Sequence, residues 1–141
     1  MKTFKLLLVI ITCNTVLLCN SNFNDNKIKI MLEEYFIEDS SSPLLLGHKF
    51  YIDKNNTVLQ LEIEPNTNDI NNSLLFSFKA MSLLAGLSNK QFTHGVLIIH
   101  FDFESLPIVA KTDLKCAQRF FVEGEINEKK WRKECLTIKN N

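Results

Sequence analysis

Apolar positions in the stretch 72–88, NSLLFSFKAMSLLAGLS, recur at helical spacing on more than one side. Leu74, Phe78, Met81 and Ala85 form one stripe, and Phe76, Ala80, Leu83 and Leu87 form a second, with Ser77, Lys79 and Ser82 as the polar interruptions. A sheet covers one stripe, so the second needs another helix, a partner chain or a lipid surface. The stretch is shorter than the roughly 20 apolar residues that cross a bilayer. It therefore predicts a core helix, with Phe76, Leu83 and Leu87 as the interaction candidates if the second stripe is left open.

The other segments arrange themselves around this one. In 28–39, Ile28, Met31, Leu32, Tyr35 and Phe36 suit an amphipathic helix, although Lys27 to Ile30 alternate as a strand would. From 48 to 64 the period becomes two, with Phe50 and Ile52 before a turn at 53–56 and Leu59, Leu61 and Ile63 after it, which predicts a hairpin. In 93–105, Leu97, Ile99, Phe101 and Phe103 share one strand face and His94, Val96, Ile98, His100 and Asp102 the other, with 107–114 as an antiparallel partner. The segment 116–138 reads as two short helices or a strand extension and a helix. Asn127 caps the last one, Ile126 and Trp131 form a hydrophobic staple, and Trp131, Cys135 and Ile138 share a face. The fold class is α+β: a two-layer sandwich in which an antiparallel sheet of about four strands, two hairpins, packs on the apolar helix, with helices at both ends. This order resembles the two-layer α/β sandwiches common among small envelope proteins.

The N-terminus adds a destination. Lys2 and Lys5 precede the apolar runs LLLVII and VLL, the layout of a secretory signal peptide, and a cut after Ser21 places small residues at Ser21 and Cys19. The chain divides into a signal peptide (1–21), a tether (22–27) and one domain (28–141). Val16, Leu17, Leu18 and Cys19 also resemble a lipobox, the motif in which the cysteine is lipidated and becomes the mature N-terminus; Leu18 departs from the usual Gly, Ala or Ser. The expected location is the periplasm or the cell exterior, with membrane attachment through Cys19 as the alternative.

Charge narrows the partners. The chain has 16 basic and 16 acidic residues, and losing Lys2 and Lys5 leaves 14 basic against 16 acidic, so nothing favours nucleic acid or an anionic membrane. Lys129, Lys130, Arg132 and Lys133 alternate with Glu128 and Glu134 as on a solvated helix face. The mature chain keeps Cys116 and Cys135. In an oxidising compartment they are expected to pair, since a reversal near Gly124 would bring them together.

Candidate chemistry is sparse. His94, His100 and Asp102, with His48 on a neighbouring strand, are suitable zinc ligands or proton carriers, but the same alternation describes the solvent side of a strand. No GxSxG, HExxH or phosphate-binding glycine loop occurs, so no catalytic residue and no cofactor is assigned. Asn55 and Asn71 stand in N-x-T and N-x-S sequons. The resulting expectation is an exported, non-enzymatic binding or assembly module whose partner is another envelope or extracellular protein. The alternative is a small secreted enzyme or metal-binding protein using the His94, His100 and Asp102 face. The intact mass of the exported protein should correspond to residues 22–141; a lipid-modified Cys19 would instead make it a tethered lipoprotein.

Overall fold

The computed structural model describes residues 22–66, 69–101 and 105–140, so the leader with Cys19, and Asp102, lie outside the described residues. The element order is α1 (Asp25–Glu38), β1 (Leu44–Asp53), β2 (Asn56–Glu64), α2 (Ile70–Leu87), β3 (His94–Ile99), β4 (Ile108–Asp113), α3 (Leu114–Phe121), α4 (Glu128–Glu134) and β5 (Leu136–Asn140). Among the described residues the fold is α+β, with four helices and one five-stranded sheet ordered β1-β2-β3-β4-β5.

Local chemistry sets the helix starts. Each of the four is capped by an Asn or Asp whose side chain accepts a backbone N–H three residues on: Asn24 from Lys27 at 3.0 Å, Asp69 from Asn72 at 3.0 Å, Asp113 from Cys116 at 2.7 Å, and Asn127 from Lys130 at 2.9 Å. Such caps satisfy amides that the helix itself leaves without partners. In α1 the cap resolves the ambiguity of the alternating stretch in favour of a helix, and Ile28, Leu32 and Phe36 are its buried face. The helix takes in Asp25 to Lys27, so residues expected as tether are its first turn. Phe23 is held too: its N–H donates to the Leu87 carbonyl at 2.8 Å, and its carbonyl accepts from Asn89 at 2.8 Å.

The sheet is mixed, which corrects the expectation of about four antiparallel strands. β1 and β2 form the hairpin, with Lys54 and Asn55 both at positive φ (46° and 69°), as a two-residue turn of the type that matches strand twist demands. β2 and β3 run parallel, whereas β3/β4 and β4/β5 are antiparallel. The reason lies in α2. At about 1.5 Å per residue its length matches that of the neighbouring strands, so it carries the chain back to the end where β2 began. The fifth strand replaces the C-terminal part of the helix expected over Trp131, Cys135 and Ile138: α4 stops at Glu134, Cys135 caps it, and Leu136 turns into the sheet.

One sheet face, carrying Leu59, Leu61, Ile63, Leu97, Ile99 and Ala110, is buried in a single cluster with residues of all four helices. Ser77 and Ser82, expected as polar interruptions of α2, are buried instead. Their hydroxyls donate one turn back to the carbonyls of Ser73 (2.8 Å) and Phe78 (2.7 Å), which satisfies them without a solvent face. Lys79 is the exposed interruption. The side chain of Gln118 in α3 donates to the Ser82 carbonyl at 3.1 Å, tying the two helices together.

Gly95 marks the tightest approach of helix to sheet. A Cβ there would lie 2.8 Å from Met81 Sδ and 3.2 Å from Leu114 Cδ2, both buried side chains. Gly95→Ala is expected to destabilise the domain by about 1–3 kcal/mol, the usual cost of overpacking, read as a lower urea midpoint at unchanged slope. An unchanged midpoint would show that Met81 has room to move aside.

Candidate functional site

Two surfaces carry the sequence candidates. The first is the sheet face opposite the core. There Tyr51 Oη donates to Gln60 Oε1 at 3.2 Å, Gln60 Nε2 donates to Glu62 Oε1 at 3.3 Å, and His100 Nε2 lies 3.3 Å from Glu62 Oε2. This chain crosses β1, β2 and the end of β3, all on residues whose sheet partners share the face. Burial, and then the charge of Asp53, push the Tyr51 phenol above its ordinary range, so it stays a neutral hydrogen-bond donor. His94 pairs locally with Thr93 Oγ1 at 3.0 Å.

The histidines do not converge. His94 and His100 are six residues apart on one extended stretch, about 20 Å at roughly 3.3 Å per residue, so they cannot ligate one ion. His48, expected beside them, lies on the opposite face, where it pairs with Leu61 in register and its Nε2 sits 3.0 Å from Glu33 Oε1 of α1. Alternation along β1 explains this, because His48 stands two residues before Phe50 and shares its core-facing side, opposite Leu61 and Leu59. Among the described residues no group of three or more His, Cys, Asp and Glu is placed to hold a metal ion.

The second surface lies between α1 and the start of β1. It is a groove of about 650 Å³ lined by Glu33, Phe36, Ile37, Leu44, Leu45, Leu46, Gly47 and His48. Its rim is apolar and open: Ile37 is 81% exposed, Leu44 60% and Leu46 48%; Ile30, two turns back along α1 and outside the groove, is 49% exposed. The polar end is the Glu33–His48 pair. With Nε2 engaged by a carboxylate, His48 Nδ1 is buried with no hydrogen-bond partner among the described residues. The backbone that leads from α1 into this groove is shaped by Asp39, which accepts the Ser41 hydroxyl at 2.6 Å and the Ser41 N–H at 2.8 Å. Those bonds hold the Asp39 carboxyl below the usual carboxylate range.

The interaction candidates on α2 behave differently from one another. Phe76 packs against Tyr35 and Phe36 with ring centroids 5.2 and 5.1 Å away, so α1 covers it. Leu87 packs against the core beside Phe23. Leu83 is half-buried on the outer side of the helix. Among the described residues, several exposed apolar side chains gather on β1 and α1. Sequence reading missed this surface because Leu44 to Leu46 resemble the lead-in to a strand, and nothing in their spacing announces a bulge. Among the described residues no helix is long and apolar enough to cross a membrane.

Cys116, in the first turn of α3, and Cys135, the cap of α4, form a disulfide with Cα atoms 6.1 Å apart. It spans 19 residues of sequence and ties the two short helices to each other. Replacing both cysteines by alanine should lower stability by about 3 kcal/mol in the chain-entropy account of a loop this size, measured by denaturant titration. The oxidised wild type under reductant should move toward the variant. The chain matches no protein-family model, no curated protein and no solved structure.

Proposed function

We propose that the chain is an exported, non-enzymatic binding or assembly module, and that it takes an extended apolar segment of another envelope or extracellular protein alongside β1. The observation that carries this reading is the groove between α1 and β1, which opens directly onto an edge strand. In this arrangement the helices form one layer and the sheet the other. Among the described residues β1 is the outermost strand, ten residues long, and presents main-chain groups that no neighbouring strand there occupies. An added strand would be held by those groups, and alternate apolar side chains of the guest would enter the groove walled by Phe36, Ile37 and Leu45. The other edge, β5, is shorter at five residues.

Export is supported by the leader pattern and by the Cys116–Cys135 bridge, since disulfides persist in oxidising compartments. The bridge is equally compatible with a lipid anchor at Cys19. The alternative use of the His94, His100 and Asp102 face for metal or acid-base chemistry loses support from the wide separation of the two histidines.

The test is selection from a displayed library of random peptides. Extended sequences with alternating apolar residues should be enriched. Their binding should fall at least tenfold with Leu46→Asp or Ile37→Asp, and persist with Lys79→Glu on the far side of α2. Each replaced side chain is largely exposed, so the variants should fold. Enrichment of no such sequences, or binding indifferent to Leu46 and Ile37, would sink the reading.

A further inference from the structure

Two asparagines stand in N-x-S/T sequons, Asn55-Asn56-Thr57 and Asn71-Asn72-Ser73, and the fold treats them in opposite ways. Asn55 occupies the tip of the β1–β2 hairpin at φ 69°, is exposed, and its side chain has no hydrogen-bond partner among the described residues. Asn71 lies in the first turn of α2, and its Oδ1 accepts from Arg132 Nη2 of α4. Arg132 is itself engaged, with Glu128 at 2.7 Å and with its guanidinium 5.7 Å from the Trp131 ring. Ser73, whose hydroxyl completes the second sequon, is buried at 6% exposure.

We propose that Asn55 is an N-glycosylation acceptor and that Asn71 is not. The inference rests on the export half of the proposed function, because the modification requires entry into a secretory compartment. The donor class is an oligosaccharide carried on a polyprenyl diphosphate. The bond between its anomeric carbon and the diphosphate oxygen breaks, a bond from that carbon to Asn55 Nδ2 forms, one amide proton is released, and the lipid diphosphate is the leaving group. No redox partner is involved.

The hairpin tip suits this in two further respects. A sugar on Asn55 would stand beside Ile52, an apolar side chain 77% exposed that pairs with Thr57 across the hairpin, and would shield it from other chains. The nearest residue of the groove, His48, stands five residues before the end of β1 at Asp53, about 17 Å away at roughly 3.3 Å per residue. A glycan at the tip therefore stands beyond the groove-lining part of β1. One on Asn71 would displace the Arg132 contact that joins α2 to α4.

The full chain, with its own first 21 residues, is translated in the presence of endoplasmic-reticulum microsomes and then treated with protease. The expected product is a protected species heavier by one glycan. Peptide-N-glycosidase should remove that mass and convert Asn55 to aspartate. The shift should vanish in Asn55→Gln and in Thr57→Val, which preserves the β-branched side chain at the strand start, and persist in Asn71→Gln. A protected chain with no added mass, or a shift that survives Asn55→Gln, overturns the proposal and leaves export standing. A chain that stays outside and is digested overturns export and this proposal together.

Discussion

A helix apolar around most of its circumference has to be covered on several sides at once, and meeting that demand for α2 shapes the rest of the molecule. Leu74, Phe78 and Met81 share one buried cluster with the sheet residues, α1 takes Phe76 through Tyr35 and Phe36, and α3 lies along the flank where Gln118 reaches the Ser82 carbonyl. Burying a large apolar side chain contributes about 1.5–3 kcal/mol. A net stability of about 5–15 kcal/mol would not tolerate several such residues in water. Small residues make the close packing feasible. Ser77, Ala80 and Ser82 are fully buried, and Gly95 lets β3 approach Met81 without a Cβ in the way. The parallel pairing of β2 with β3 follows from the same helix, since a strand-length crossover returns the chain to its starting end before β3 begins.

The C-terminal third closes the cover from the other side. Trp131 is fully buried and touches three elements: Phe78 of α2 at a centroid distance of 5.7 Å, and Phe120 and Phe121 of α3 at 5.6 and 5.0 Å, while its Nε1 donates to Thr112 Oγ1 of β4 at 3.1 Å. The indole thus buries a large ring and still satisfies its one donor, which also satisfies a buried threonine. α4 has seven residues and would be marginal alone. It is fixed instead by the Asn127 cap at one end, the disulfide at the other, and Trp131 between them. Ending α4 at Cys135 frees Leu136 to Lys139 to pair with β4.

How much of this was legible depends on whether a local signal had a rival. The β1–β2 hairpin was, because alternation on both arms and the Asp-Lys-Asn-Asn turn agree. The helix over 72–88 was, because no strand pattern competes over such a length, although Ser77 and Ser82 read as polar interruptions and are buried. The disulfide followed from two cysteines remaining in an exported chain. β5 was not legible: Trp131, Cys135 and Ile138 repeat at helical spacing, and neither glycine nor proline marks the stop, so tertiary pairing with β4 overrode a consistent local pattern. Strand direction was hidden for a related reason, since two hairpins and an antiparallel sheet are the simplest reading until the length of the crossover helix is weighed. Of the candidate site, the face of His94 and His100 could be read from alternation, whereas the groove could not, because it exists through a bulge and a helix that come together only in three dimensions.

The groove and the bulge are one feature. Had β1 run regularly from Leu45 to His48, Leu46 would have entered the pleat and Leu44 would have changed sides. The extra residue instead leaves Leu46 unpaired at the rim, and the bulged strand bends where α1 ends. Bulges on edge strands ordinarily discourage pairing with other chains, yet this one is accompanied by apolar rather than charged neighbours, Ile37, Leu44 and Leu46. Pro43 before the strand and Lys49 within it restrict pairing on either side, and the apolar rim between them, together with the bulge, would limit the register in which a guest strand can add. The Glu33–His48 pair fits that account, because it links α1 to β1 at the polar end of the groove before any guest arrives.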